Sequence, residues 1–331
     1  MARRYVHLTR GERERIRLLR LDRWSLSAIA AAICRSKSTI HREVKQHLHH
    51  NGYEPERADG RARKVRHMPR RPHKMMVPKI AAYVKEGLAK DWSPEQIAGR
   101  IRLDHPHSPI MRISRQCIYD WLARDKKAGG VWYKRLRMGK RRRKRTKGER
   151  RVNIAGRKSI ELRPVSVESR RRFGDWEADT VEGRLNSGRL ATLVERKSLY
   201  TVIARMDTRH ARCFNAALLS RLDRERWLPL RTITADNGAE FARHGELTEA
   251  LGVAVYFAQP HRSWQRGTNE NTNGLIRQYL PKKTDFRLVS EERVALVERT
   301  LNTRPRKKLG YRTPAEVMAR RFQRSVVPLV S

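Results

Sequence analysis

The sequence has 331 residues, and 76 Lys and Arg against 34 Asp and Glu leave a formal charge of +42. Self-repulsion of that size calls for a polyanionic partner, which excludes an ordinary small-molecule enzyme as the simplest reading and puts nucleic acid ahead of an anionic membrane. Only 38% of the residues are hydrophobic and 7% aromatic, which predicts several small domains joined by basic segments rather than one large core.

No run of eighteen apolar residues is present, so no segment is expected to span a bilayer, and the basic N-terminus has no apolar stretch behind it to act as a secretion signal. Cys34, Cys117 and Cys213 stand far apart and odd in number. They read as buried thiols of a reducing compartment rather than as a disulfide framework or zinc site. The charge is uneven: residues 1–172 carry 48 basic and 16 acidic side chains, residues 173–331 only 28 and 18.

In chain order, Thr9 with Glu12 predicts a capping box opening a helix with Ile16, Leu19 and Leu18 on one stripe. Ser27 is expected to cap a second helix with Ile29, Ala30 and Ile33 inward. Ser36 is expected to cap a third, in which Ile40 and Val44 point to the core. Its outward face, with Arg35 just before it, carries Lys37, Ser38, Thr39, His41, Arg42 and Lys45. This is the pattern of a helix-turn-helix domain over residues 1–50, with a basic recognition helix for the major groove; a three-helix bundle with a solvated face is the alternative. Cys34 falls where the turn often has Gly, so a left-handed backbone there would be strained. HLHH at 47–50 has no Cys-x-x-Cys companion and reads as a solvated helix end.

Residues 51–78 mix Gly, Pro and Arg without apolar periodicity and are expected to be a linker. Ser93, Pro94 and Gln96 then form a strong helix start, with Ile97, Ala98 and Ile101 inward. Ser114 opens another helix that buries Ile118, Trp121 and Leu122 and offers Arg115, Gln116 and Tyr119. Residues 79–125 therefore read as a second helical domain, either a second DNA-binding helix-turn-helix or a structural or dimerising pair. From Lys134 to Arg151 there are twelve basic residues and one acid. Such a block does not fold alone, and residues 126–172 are expected to be a basic linker.

From Phe173 the pattern becomes α/β: strands around Trp176–Val181 and within Leu190–Met206, a helix at Arg212–Leu222, a strand at Arg231–Thr234, another at Val253–Phe257, and a helix from Thr268 to Leu280. These form a layered domain with a mixed sheet over residues 173–285, followed by a helical extension, 286–331, in which Thr313 and Glu316 make another capping box. Asp179 lies on the first strand, Asp236 at the end of a later one and Glu270 at the start of the last helix, and all three can aim at one crevice. Convergent carboxylates repel unless cations sit between them. All-oxygen ligands suit Mg²⁺ or Mn²⁺, and two such ions can drive displacement at a phosphodiester without a histidine base. Asn237 and Gly238 supply the turn out of the sheet after Asp236. Asn273 and Arg277 share the Glu270 helix face and can order its carboxylate or grip phosphate. Trp264, just before that helix, is expected at the mouth of the site, stacking on DNA or serving as a core or hinge residue. No phosphate-binding G-x-x-x-x-G-K-[ST] loop is present.

The segments WEADTVEG at 176–183, TADNGAEF at 234–241 and FAQPHRSWQRGTNENTNGLIRQYLPK at 257–282 closely resemble the bacterial insertion-sequence transposases of the IS-thirty family. RSKSTIHRE at 35–43, WSPEQIAGRI at 92–101 and LNTRPRKKLGYRTPAEV at 301–317 are similar to the same family, so the resemblance covers nearly the whole chain. The 33 residues between Asp236 and Glu270 also agree with it. Asp175 stands where many relatives have His, and Cys34 where the turn has Gly. The resemblance implies a multidomain protein: N-terminal all-α helix-turn-helix units, then an α/β ribonuclease H-like core of the integrase type. It implies a catalytic triad of Asp179, Asp236 and Glu270 holding two Mg²⁺ ions, with Mn²⁺ as a substitute. Double-stranded DNA, both element ends and target, would be the partner, bound through terminal inverted repeats, cleaved and joined by a homo-oligomer acting in the cytoplasm at the nucleoid. A DNA-binding regulator with a non-catalytic core and a metal-dependent endonuclease that does not join are the rival readings.

Overall fold

The computed structural model describes residues 6–50, 52–67, 73–137, 154–184, 187–259, 262, 265 and 267–324. The chain divides into two compact units, Met1–Pro72 and His73–Ser331.

In the first unit, helix α1 (Arg10–Leu21) opens with the expected box: the Glu12 amide donates to Thr9 Oγ1 (3.2 Å), and the Thr9 amide to the Glu12 carboxylate (2.7 Å). Helix α2 (Leu26–Ala32) is capped by Ser25, not Ser27, because Ser25 Oγ is the group that receives the Ala28 amide. Helix α3 (Lys37–His47) is capped by Ser36. Cys34, in the turn before it, has φ +53°, the left-handed backbone expected there. It is exposed and so is not the buried thiol anticipated; Cys117 and Cys213 are half-buried, and all three are free. Leu18 is exposed, while Ile16, Ile29, Ile40 and Val44 form the core with Leu19 against them.

The segment read as a linker is structured over 52–67. Strand β1 (Leu48–His49) pairs antiparallel with β2 (Gly52–Tyr53), and helix α4 (Pro55–His67) packs on α1. His47 is likewise buried rather than solvated. The reason is that two apolar side chains suffice: Tyr53 and Ala58 complete the core, and a long run of outward Arg and Lys hides the periodicity. Arg13, 3% exposed, ties the layers together by donating to Glu43 (2.8 Å) and Asp59 (3.0 Å). Arg13→Ala takes the buried cation from two largely buried carboxylates, leaving Asp59 only the exposed Arg63 and Glu43 only the Tyr53 hydroxyl, so we expect a loss of about 3 kcal/mol and unfolding of this unit, read by circular dichroism of the variant.

The second unit begins with helices α5 (Pro78–Ala89), α6 (Pro94–Asp104) and α7 (Arg115–Lys127) around Ile80, Val84, Leu88, Ile97, Ile101, Ile118 and Leu122. The caps expected at Ser93 and Ser114 are present.

A six-stranded mixed sheet follows, with strands β3 (Lys158–Ser159), β4 (Asp175–Glu182), β5 (Arg189–Glu195), β6 (Thr201–Met206), β7 (Thr232–Ala235) and β8 (Ala254–Phe257) in the order β3-β8-β7-β4-β5-β6. β3, β8, β7 and β4 are parallel; β5 and β6 run antiparallel. Alternation along β4 sorts its side chains: Trp176 and Ala178 join the core under helices α8 (Ala211–Asp223) and α9 (His244–Leu251), whereas Val181 joins the core under α10 (Gly267–Tyr279) and α11 (Glu291–Asn302).

Two boundaries differ from expectation. The basic segment 126–172 is not all linker: Ile154 enters the main core, β3 pairs with β8, and Val167 is fully buried. A two-residue edge strand carries too little periodicity to be read in advance. The segment 286–324 is likewise part of the α/β layer, since α11 packs on β6 and closes that sheet edge: Glu298 accepts the Ile203 amide (2.6 Å), and Asn302 exchanges two bonds with the Thr201 backbone (both 2.8 Å). Helix α12 (Pro314–Arg324) has the expected Thr313–Glu316 box. Glu316 also receives the Arg100 guanidinium in a bidentate pair (2.6 and 2.7 Å), Gln96 donates to the Pro305 carbonyl (2.8 Å), and Gly99 faces the Tyr311 ring so closely that a Cβ would lie 2.3 Å from it. The C-terminal segment thus clasps α6.

Burial pushes the Glu298 carboxyl up from 4.5 to about 6, against the opposing pull of Arg221. A carboxyl raised on folding binds its proton more tightly in the folded state, so stability rises as pH falls from 6 to 4.5. Glu298→Gln should flatten the Tm-versus-pH curve in that window; an unchanged slope would refute the assignment.

Candidate active site

β4 and β7 are in parallel register, with Glu177 opposite Thr234. Continuing that register by two residues sets Asp179 beside Asp236, which follows the last residue of β7. Both side chains are half-buried. Asp179 accepts the Thr180 amide on Oδ1 (2.9 Å) and the Asn273 side-chain amide on Oδ2 (2.9 Å). Asp236 accepts the Gly238 amide (2.9 Å), which folds the chain out of the sheet. Gly238 has φ −71°, so its need for glycine is spatial: a Cβ would lie 2.6 Å from Glu240 Oε2 and 2.9 Å from Asp236 Oδ1.

Glu270 lies in the first turn of α10 and is exposed. That helix is stitched to β4 from the same side as Asp179, through Asn273 and through Asn269, whose amide donates to the Ala178 carbonyl (3.1 Å). Asn273, expected to order the Glu270 carboxylate, therefore orders Asp179 instead. Arg277 donates to the Glu182 carbonyl at the end of β4, and burial lowers the pKa of its guanidinium. Among the described residues no group of three or more His, Cys, Asp or Glu side chains is arranged to hold a metal ion. Trp264 lies outside the described residues.

Three neighbours of the site were not anticipated. Glu240 accepts from Thr180 Oγ1 (2.7 Å) and lies 3.8 Å from Arg189. Arg157, from the presumed linker, donates to Asn237 Oδ1 (2.9 Å), while Asn237 donates to the Ala258 carbonyl (2.8 Å). Arg137 reaches Gly274, one turn beyond Glu270, its Nη2 2.7 Å from where a Cβ would be. Only the TADNGAEF motif offered a signal, for Glu240; the two arginines were masked by the many around them.

A model of the Integrase core domain matches residues 169–263, and a Helix-turn-helix domain matches residues 4–47. The first span includes Asp179 and Asp236 and stops short of Glu270. The transposase InsI of insertion sequence element IS30A from Escherichia coli K12 is 41% identical over 330 residues, covering 95% of this chain and 84% of that protein. The transposase of IS4351 from Bacteroides fragilis is 39% identical over 94% of each chain, and that of IS1086 from Cupriavidus metallidurans 35% identical over 96% and 95%.

The chain belongs to the IS30-family insertion-sequence transposases.

This transposase therefore joins a helix-turn-helix DNA-binding domain to an integrase-type, ribonuclease H-like core that cleaves and transfers DNA. No helix among its described residues is long and apolar enough to cross a membrane. On helix α3, Lys37, Ser38, His41 and Arg42 are exposed and, with Lys45 and Gln46, line a concave surface of about 750 Å³. Thr39 is half-buried, its hydroxyl 2.8 Å from Ser36 Oγ, and Arg35 is held by Glu12 (2.8 Å), a bond that pulls the Glu12 carboxyl below its usual value. On α7 of this transposase, Arg115 and Gln116 are exposed, Arg115 pairing with Glu95 (3.2 Å) and Gln116 with Asp120 (2.8 Å).

Proposed function

We propose that this transposase cleaves DNA at the terminal inverted repeats of its own insertion sequence and joins the freed 3′-hydroxyl to a target phosphate, with Asp179, Asp236 and Glu270 as the catalytic acids. The observation that carries the reading is the adjacency of Asp179 and Asp236 on neighbouring parallel strands, with the Glu270 helix bonded to Asp179 through Asn273. These donors are all oxygens, two carboxylates side by side and a third on the adjoining helix, which fits Mg²⁺ or Mn²⁺ better than a softer ion. Two such ions, when bound, activate the attacking water or 3′-hydroxyl and stabilise the leaving oxygen.

The chain's own part is to orient and bind. Asn273 fixes the Asp179 carboxylate, the Asp236–Gly238 turn fixes the second, and exposed Lys37, Ser38, His41 and Arg42 read the repeat, with Thr39 and Arg35 shaping that face. Arg115 and Gln116 on α7 make a second contact, and Arg277 lies beside the acids for the backbone. Nine of the twelve basic residues between Lys134 and Arg151 fall within 138–153, a charge density that suits binding to DNA phosphates. Two ends must be held together, so the working form is a dimer or larger assembly, at the nucleoid.

The test is a cleavage-and-joining assay in Mg²⁺ on DNA bearing the element's own repeats, comparing wild type with Glu270→Gln. Cleaved and joined products from wild type and neither from the variant support the proposal. Specific binding without cleavage in both proteins would leave a regulator, and cleavage without joining a nuclease.

A further inference from the structure

Two residues before each of the three acids stands a buried polar side chain: Glu177 before Asp179, Thr234 before Asp236 and Thr268 before Glu270. These three belong to one continuous hydrogen-bonded chain. Thr268 Oγ1 donates to Glu177 Oε1 (3.1 Å), which also accepts from Arg196 Nη1 (2.7 Å). Arg196 Nη2 donates to Glu168 Oε2 (3.3 Å). The other Glu168 oxygen accepts from Arg163 Nη2, and Arg163 Nη1 donates to Thr234 Oγ1 (2.8 Å).

Stability alone is a poor reason for such an arrangement. Both guanidinium side chains are 2% exposed, and a buried ion pair is often no more stabilising than apolar residues of the same volume. Burial, and next the charge of Arg196, hold the Arg163 guanidinium down to about 10. Glu177 Oε2 and Arg196 Nε are buried without partners among the described residues, a further cost. What the chain does achieve is geometric, since it links β4, β7 and α10, the three elements that carry the acids, through side chains that do not reach the site.

We infer that Glu177, Arg196, Glu168, Arg163, Thr234 and Thr268 form a positioning frame that sets the separation of Asp179, Asp236 and Glu270, and so the affinity of the acids for divalent cations. None of the six touches a reacting atom; they act through the elements they join. Glu168, whose side chain is 65% exposed, is the link that bridges both arginines. The inference rests on the triad being the cation site.

The test measures Mn²⁺ binding to the full chain by isothermal titration calorimetry, alongside Tm without metal. Outer residues that orient ligands typically contribute 10–100-fold to metal affinity, so Thr268→Val and Glu168→Gln should each weaken Mn²⁺ binding about tenfold or more. Thr268→Ser, which keeps the hydroxyl, should restore affinity to near wild type even if Tm stays lower, an outcome a purely structural role does not produce. Glu168 is exposed, so its variant reports even if Thr268→Val fails to fold. Binding curves that overlay wild type in Glu168→Gln and Thr268→Val, or a loss that Thr268→Ser does not restore, would overturn the frame. Asp179→Asn separates this from the ligand assignment: wild-type Mn²⁺ binding in that variant would remove the triad and the frame together, whereas loss there with wild-type binding in the frame variants removes the frame alone.

Discussion

Replacing Asp179 by Asn is expected to lower strand cleavage in Mg²⁺ by about a hundredfold or more while leaving folding stability within about 1 kcal/mol of wild type. The asymmetry follows from the bonds around the carboxylate. Its Oδ1 receives a backbone amide, which an Asn oxygen also accepts. Its Oδ2 receives the Asn273 amide, and Asn273 Oδ1 has no partner among the described residues. An Asn at 179 turns its own amide toward Asn273, Asn273 rotates to offer its oxygen, and the contact survives with donor and acceptor exchanged. The substitution removes the negative charge while keeping these two bonds. Removing one of two neighbouring carboxylates also relieves repulsion, so a small rise in Tm is consistent and a large fall is not. The measurement is a single-turnover cleavage time course with a melting curve on the same preparation. A loss below threefold would exclude Asp179 from the chemistry, and a collapse of Tm would make it a folding residue.

The second large effect is on binding. With 76 basic residues and 48 of them in the first 172, this transposase is expected to neutralise six or more phosphates when it binds DNA. Counterion release then makes log K fall linearly with log salt, by about 0.9 per phosphate neutralised, so affinity for end DNA should drop roughly 10³–10⁵-fold between 50 and 200 mM salt. The check is a fluorescence-anisotropy titration at four salt concentrations, on repeat DNA and on scrambled DNA. Both lines should be steep and nearly parallel, because phosphate contacts ignore sequence; the vertical gap between them reports the base contacts of α3. A flat response would contradict the polyanion argument drawn from composition.

What was legible in the chain was local. The boxes at Thr9, Ser93 and Thr313 are each written within four residues, and all three form. Strands with several apolar positions, such as β4 and β5, stand clear of their surroundings. The two-residue slip from Ser27 to Ser25 arose because two serines flank the helix start and only the folded backbone chooses between them. Segments with one or two buried side chains were unreadable: α4 rests on Ala58, and β3 follows a core residue, Ile154, inside a run of arginines. The candidate site shows the same limit. Its acids announce themselves by motif, but Arg163 and Arg196 are two among many, and their partners lie 71 and 19 residues away. Asn273 was picked out as a site residue, to order the Glu270 carboxylate or grip phosphate, but its bond to Asp179 was not legible, because helical spacing shows which residues share a face and not what that face meets.

The clasp between α6 and the C-terminal segment sets an order of assembly. Arg100 and Glu316 are separated by 216 residues. At the ribosome's usual pace of about 5–20 residues per second, Glu316 is made roughly 10–40 s after Arg100. Residues 1–72 have a core of their own and can complete it in that interval. The helices α5 to α7 can pack internally, yet Gly99 and Arg100 wait for Tyr311 and Glu316. During synthesis the N-terminal unit is therefore ready while α6 still shows water the surface that Tyr311 later covers, and a nascent chain stalled before residue 300 carries a finished helix-turn-helix unit followed by helices that still lack their C-terminal cover.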